Sequence, residues 1–222
     1  VHFNTNYDNA FWNGEQMVFG DGDGQIFNRF TSSLDVIGHE LTHGVTQTDA
    51  KLVYQSQSGA LNESVSDVFG ILVKQFALKQ TAEQSDWLLG VGLFAAHVHG
   101  VAVRSMKAPG TAFDDPVLGK DPQPANMQNF VQTVNDNGGV HINSGIPNHA
   151  FYLVATQLGG YAWEKAGRIW YNTLRDPGLQ PTSDFQAFAQ LTAANADQLF
   201  GQGGPEGQAV RAAWNEVGVK LP

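Results

Sequence analysis

The sequence predicts an α+β chain: a short β-rich N-terminal part runs into one helix with unusual chemistry, and a mainly helical C-terminal lobe follows. Three observations predict this. Aromatic and alternating residues dominate the first thirty or so positions. Apolar residues then recur at helical spacing from Leu34 to Val45, and again over about 60–78. The last third of the chain reads as a succession of helices. The expected division is 1–48 for the end of the β part with its helix, and 49–222 for the helical lobe.

In chain order, Phe3, Tyr7, Phe11 and Trp12 favour strands, and Asn13-Gly14 before Met17-Val18-Phe19 signals a hairpin. Gly20-Asp21-Gly22-Asp23-Gly24 reads as a tight turn rather than a calcium loop, because EF-hand spacing and the terminal Glu are missing. Thr31-Ser32-Ser33 offers capping hydroxyls, Asp35 suits a first helical turn, and Leu34, Ile37, Leu41 and Val45 form an apolar stripe. An extended piece at 51–54 leads to a second helix over about 60–78, with Val65, Val68, Phe69, Leu72, Val73 and Phe76 on its buried side. A further helix is expected within 80–105, around Trp87-Leu88-Leu89 and Leu93-Phe94. Residues 107–138, rich in Pro, Gly, Asp and Asn, read as a long surface loop closing in a turn at 136–145. Helices are expected at 150–158, 161–174, 185–200 and 208–217, the third capped by Ser183-Asp184.

The chain has 222 residues, 42% hydrophobic and 15% charged, enough for a sizeable core. A net charge of −9 argues against nucleic acid and anionic membrane surfaces as partners. Cysteine is absent, so histidine and carboxylate must carry any metal site. No apolar run approaches the length of a membrane span. The opening residues alternate like a strand rather than a leader, and the chain is expected to begin inside a folded unit.

The stretch that organises the rest is His39-Glu40-Leu41-Thr42-His43. On a helix, His39 and His43 share a face and can grip one metal ion. Glu40 sits beside them, where its carboxylate reaches an attacking water rather than the metal. Two neutral imidazoles suit Zn²⁺, which needs a third ligand. Gly38 and Gly44 leave room for close packing beside the ligands. Glu63 and Asp67 lie one turn apart on the second helix and read either as a solvated acidic stripe or as an inward-facing pair. A site lacking its third ligand favours Glu63 as that ligand and Asp67 as its support. His141, five residues after Asp136, is either a structural histidine or a partly protonated imidazole placed to stabilise an oxyanion.

These segments, with Gly59-Ala60-Leu61-Asn62-Glu63-Ser64-Val65-Ser66-Asp67, the 136–145 stretch, Asn9-Ala10-Phe11-Trp12-Asn13 and Arg104-Ser105-Met106, resemble in order and spacing the thermolysin-like zinc metallopeptidases. Lys107-Ala108-Pro109-Gly110 looks most like the protealysin branch. The resemblance implies the thermolysin-like (zincin) fold without a further N-terminal β-rich lobe of roughly a hundred residues. It implies His39, His43 and Glu63 as Zn²⁺ ligands and Glu40 as general base, with His141 and Tyr54 at the oxyanion and Asp136 orienting His141. It further implies that Asp67 orients His39 and Asn62 supports His43. Asn9 and Ala10 would pair with the substrate backbone and Arg104 would bind a substrate carbonyl. Phe27, Phe30, Val36 and Val103 would line the main specificity pocket, giving cleavage on the amino side of bulky apolar residues.

Asp35 and Asp86 match calcium ligands of the family, but Lys74 and Val91 stand where further acidic ligands are expected; the full two-ion Ca²⁺ cluster is therefore not expected, and a single Ca²⁺ stays open. Partners implied are a peptide or protein substrate and a propeptide or proteinaceous inhibitor, for a secreted monomer. Two other readings remain: a zinc-loaded peptide-binding remnant without catalysis, against which Glu40 speaks, and a zinc exopeptidase, for which no charged cluster to capture a substrate terminus is evident.

Overall fold

Two glycines let the first two helices lie almost against each other. Helix α1 (Leu34–Thr48) crosses helix α2 (Ser56–Leu78) where a Cβ on Gly38 would stand 3.1 Å from the Gly70 Cα. A Cβ on Gly70 would collide with the backbone carbonyl of Asp35. With no side chain between them the two backbones approach closely, and polar groups on the facing surfaces come within reach of one another. The computed structural model describes residues 1–221, and the remaining elements are arranged around this pair.

The N-terminal hairpin forms as the sequence predicts. Strand β1 (Ala10–Trp12) pairs antiparallel with β2 (Met17–Phe19), Ala10 opposite Phe19, and the Asn13 side chain accepts the N–H groups of Glu15 and Gln16 at the turn. The glycine-rich stretch that follows is a turn tied by Asp23, whose carboxylate accepts from Gln25 and Ile26, both at 2.7 Å. Phe19, Phe30 and Leu93 bury a small cluster with Ala10, and this seats the hairpin beside α1.

Helix α1 departs from expectation in its faces. Leu34, Leu41 and Val45 are exposed, while Asp35, His39, Glu40, Thr42 and Thr46 are buried. The inward face is polar because the α2 groups opposite it are polar. Ser33 occupies the N-cap, but its hydroxyl donates to the Asp35 carboxylate instead of accepting a helix N–H. On α2, Val65, Val68 and Leu72 are buried and Phe69 is partly buried, but Val73 and Phe76 face outward and Gln75 turns in.

Residues 80–105 form no helix. Trp87 (φ 57°), Gly90 (φ 72°) and Gly92 (φ 80°) all take left-handed conformations, which no right-handed helix accommodates. The segment instead makes a short antiparallel pair, β3 (Leu88–Leu89) with β4 (Arg104–Ser105). The apolar residues that suggested a helical face are plugs: Trp87 is buried, its indole N–H donating to the Ala82 carbonyl at 2.8 Å.

The long loop carries one more small pair, β5 (Asp114–Asp115) with β6 (Gly119–Lys120). Asp136, Asn137, Gly138 and Gly139 are all left-handed and form the expected turn, which opens α3 (Asp136–Asn143). The lobe then continues through α4 (Gly145–Leu158), α5 (Ala166–Leu174), α6 (Phe185–Phe200) and α7 (Pro205–Glu216). Helix α5 starts later than the expected 161, because residues 161–165 are turn and irregular backbone. Asp184 caps α6 by accepting from Ala187 at 2.8 Å. Phe151, Trp170, Phe188 and Trp214 interlock as the centre of the lobe, with the Trp170 and Trp214 rings parallel at 6.3 Å.

Lys74 stands between Asp35 and Asp86. Its ammonium lies 2.9 and 3.0 Å from the Asp86 oxygens, 2.9 Å from the Leu88 carbonyl and 3.5 Å from Asp35, so a side-chain cation spans the two carboxylates. The clamp joins α1, α2 and β3.

Two stability outcomes follow. Gly70→Ala should lower stability by about 2 kcal/mol in a denaturant titration, because the overpacking outweighs the gain of about 1 kcal/mol in helix propensity. Lys74→Met should cost about 3 kcal/mol, since it leaves the buried Asp35 carboxylate without its cation. An unchanged midpoint for Lys74→Met would refute the clamp.

Candidate metal centre and cleft

The ligand atoms of His39, His43 and Glu63 all lie within 4.8 Å of one another. The two Nε2 atoms are 3.0 Å apart, and Glu63 oxygens stand 3.5 Å from His39 Nε2 and 3.4 Å from His43 Nε2. The surrounding bonds fix the tautomers. His39 Nδ1–H donates to Asp67 at 2.8 Å, since a carboxylate only accepts. His43 Nδ1–H donates to the Asn62 carbonyl oxygen at 2.8 Å, and the Asn62 amide N–H is engaged by the Leu52 carbonyl at 3.3 Å. Each neutral ring therefore turns an Nε2 lone pair toward the other, and neither can supply a proton to bond it. Glu63 Oε2 is buried with no hydrogen-bond partner. Three converging lone pairs require a cation between them, and two imidazoles with one carboxylate suit Zn²⁺.

The two glutamates of the site are driven in opposite directions. Burial opposes charge on Glu63, but His141, His39, His43 and Arg104 outweigh it and hold the carboxyl at about 2. For Glu40 burial prevails: helped by the Glu63 charge and resisted by His43, it lifts the carboxyl to about 7. Burial and the neighbouring His39 push the His43 imidazole below its ordinary value, which favours a neutral ligand. Asp67 is fully buried, yet Arg104 and His39 hold it far below the usual carboxylate range. Arg104 grips it through Nε at 2.8 Å and Nη2 at 2.6 Å, and the buried Asn148 amide adds a bond of 2.8 Å.

Tyr54 and His141 meet over Glu63. Gly59 permits this: a Cβ there would stand 2.9 Å from the Tyr54 carbonyl carbon and collide with the Val140 side chain, so only glycine lets α2 begin between the two segments. The Tyr54 hydroxyl donates to Glu63 Oε1 and lies 3.2 Å from His141 Nε2. Burial and the Glu63 charge keep the phenol well above its ordinary range, hence protonated. His141 Nδ1 donates to Asp136 at 2.6 Å, and its backbone N–H donates to the other Asp136 oxygen at 2.8 Å. Burial lowers the His141 imidazole, but Glu63 and Asp136 more than offset this and raise it above its usual value.

A cleft of about 660 Å³ runs along α1 past these groups. Its apolar end is lined by Phe27, Phe30, Val36, Leu89, Leu93 and Val103; its middle by His39, Glu40, Glu63, Tyr54, Arg104 and His141; its far end by Phe11, Trp12, Gln47 and Lys51. Asn9, Ala10, His43 and Asn62 also line it. The structure thus brings together every sequence-predicted site residue, with Asp67 bonded behind His39 and Asp136 behind His141. Sequence reasoning missed Leu89 and Leu93, which lay in the misread helix. It also missed Gln47, although it continues the four-residue register of His39 and His43, and Lys51, which follows the end of α1. Nothing in the sequence pointed to Asn148.

Comparison with known proteins agrees with this geometry. A family model described as the thermolysin metallopeptidase catalytic domain matches residues 1–47, and one described as the thermolysin metallopeptidase alpha-helical domain matches residues 50–219. An extracellular metalloprotease of Pectobacterium carotovorum subsp. carotovorum is 58% identical, covering 100% of this chain and 63% of the relative. Protease PrtS of Photorhabdus sp. (strain Az29) is 56% identical, covering 100% of this chain and 60% of the relative. A thermolysin of Alicyclobacillus acidocaldarius subsp. acidocaldarius is 41% identical, covering 99% and 39%. The chain therefore spans less than two thirds of the length of these relatives. The solved structure of the precursor of protealysin, a metalloproteinase from Serratia proteamaculans, superposes with a TM-score of 0.96 at 63% identity, covering 98% of this chain and 67% of that one. A metal-ligand trio, a cleft and a family match across nearly its whole length agree: the chain belongs to the thermolysin metallopeptidase family.

Proposed function

We propose that the chain is a zinc-dependent endopeptidase that hydrolyses peptide bonds on the amino side of bulky apolar residues. The observation that carries this is Glu40, a carboxyl buried beside the trio of lone-pair donors and held near neutrality. A purely structural metal site has no use for it.

When bound at His39, His43 and Glu63, Zn²⁺ supplies a Lewis acid that polarises the scissile carbonyl and acidifies water. Glu40 removes a proton from the attacking water and delivers it to the leaving amine nitrogen; a carboxyl near 7 is matched to both transfers. Asp67 and Asn62 hold the ring tautomers of His39 and His43. The Tyr54 hydroxyl and protonated His141 donate to the substrate oxygen as it gains negative charge, with Asp136 fixing His141. Among the described residues β1 has a ladder partner on one side only, so Ala10 and the side chain of Asn9 just before it are available to an extended substrate, and Arg104 to one of its carbonyls. The apolar end receives the side chain that follows the scissile bond. The names of the relatives support an extracellular setting and a propeptide partner; the chain is read as a monomer in both.

The test is hydrolysis of a quenched peptide with Leu or Phe just after the scissile bond, with metal content measured on the same sample. Glu40→Gln should lower kcat/KM by about 10²–10⁴-fold while one zinc stays bound. Bound zinc without turnover in the unaltered chain would overturn the proposal in favour of a non-catalytic peptide-binding remnant.

The pH profile of kcat/KM should be bell-shaped. Its acid limb rises as Glu40 loses its proton near pH 7, and its alkaline limb falls as His141, raised above the ordinary imidazole value, loses its own. His141→Gln should remove the alkaline limb, keep the acid limb and lower the plateau about 10²-fold.

A further inference from the structure

We propose that Lys51 makes the far end of the cleft a subsite for an acidic side chain, glutamate in particular, on the amino side of the bond that is cut. This rests on the peptidase reading above and adds to it a charge preference.

Lys51 is exposed and lines the same cleft as the metal trio. Among the described residues its ammonium has no hydrogen-bond or ion-pair partner: the nearest acid in sequence, Asp49, faces Arg175 at 3.6 Å. The other strong cation lining the cleft, Arg104, is held on Asp67. Lys51 is thus the cleft's one uncommitted cation among those residues, in a chain of net charge −9. Lys51 closes α1 in a left-handed conformation, φ 55°, with its N–H on the Thr46 carbonyl at 2.7 Å. Glycine occupies such a position without strain and lysine does not. An ammonium near the last carbonyls of α1 would also suit the helix dipole, but any position in the last turn gives that benefit without a strained backbone. Lys79 closes α2 in the same conformation, φ 54°, outside the cleft, so what sets Lys51 apart is its place in the cleft and, among the described residues, its unpartnered ammonium.

The surroundings define what the ammonium would meet. The Trp12 indole N–H donates to Gln47 at 2.6 Å, and the ring lies against α1 at Gly44, where a Cβ would stand 3.0 Å from Trp12 Cζ2. Trp12 is therefore a fixed apolar wall, with the Gln47 amide bonded to its edge and Lys51 lining the same cleft just beyond the end of α1. An aliphatic stem ending in a carboxylate fits this set, and glutamate has one more methylene than aspartate to pack on the indole. At the opposite end the lining is apolar and carries no cation. If that end takes the residue after the scissile bond, the Lys51 end takes residues before it.

The experiment compares matched peptides that carry Glu, Gln or Lys at either of the two positions before the bond, with Leu after it. At low salt kcat/KM for the Glu peptide should exceed that for the Gln peptide by about three- to fivefold at one of these positions, with Lys poorest. The Glu/Gln ratio should fall toward one in 0.5 M NaCl and in Lys51→Met, persist in Lys51→Arg, and invert toward the Lys peptide in Lys51→Glu. A ratio near one in the unaltered chain, or an unchanged ratio in Lys51→Met, overturns the proposal. Failure to cut any of the peptides would sink the peptidase reading instead. Affinities of the same peptides for zinc-loaded Glu40→Gln protein would then judge Lys51 alone, with equal Kd for Glu and Gln peptides as the refuting result.

Discussion

The whole site depends on how closely α1 and α2 approach at Gly38 and Gly70. A packed helix pair ordinarily buries an apolar seam. Here the seam is polar, and polar groups can be buried only if their bonds are completed. Asp67 meets that demand most fully: it takes four hydrogen bonds, from His39 Nδ1, Arg104 Nε, Arg104 Nη2 and Asn148 Nδ2. Asn62 does the same for His43. Once these outer bonds are made, the Nε2 lone pairs of His39 and His43 and the unpartnered Oε2 of Glu63 are left pointing inward at one another. The metal preference is the remainder of that accounting.

The same layer explains why two glutamates a few ångströms from the same imidazoles behave differently. Glu63 faces His141 and Arg104 as well as the two imidazoles, and together these outweigh its desolvation cost. Glu40 is buried too, but Glu63 itself supplies a repelling negative charge, and desolvation wins. One carboxyl becomes a permanent anion and the other a group that exchanges a proton near neutrality. Their roles follow from position, since the side chains are chemically identical.

What was legible in the sequence is what periodicity encodes. The four-residue spacing of His39 and His43, and of Glu63 and Asp67, fixed their shared faces, and the Asn13-Gly14 hairpin and the Asp184 cap formed where local chemistry placed them. What failed did so because apolar content was read as orientation. Leu41 and Val45 marked a stripe, but the buried face of α1 is its polar one, a choice made by α2 and invisible in α1 alone. Trp87, Leu89 and Leu93 are as buried as any helix core, yet they are delivered by left-handed turns rather than by a 3.6-residue repeat. That misreading hid part of the apolar lining. Lys74 was legible as a charge out of place, but only its contacts show that it joins three elements.

A chain with the proposed activity would also have to survive its own cleft. Hydrolysis of an intact chain requires several residues to peel away and extend, and the long loop before α3, with Val117 and Val134 strongly exposed, is the obvious victim. Two carboxylates guard much of it. Asp115 accepts the N–H groups of His99, Val117 and Leu118, and Asp121 those of Gly110, Ala112 and Gln123. Each holds its stretch of backbone curled around a side chain, a shape that cannot be laid out as an extended strand. On the proposed activity, resistance to self-digestion would be built from short-range hydrogen bonds in a segment that has almost no regular secondary structure.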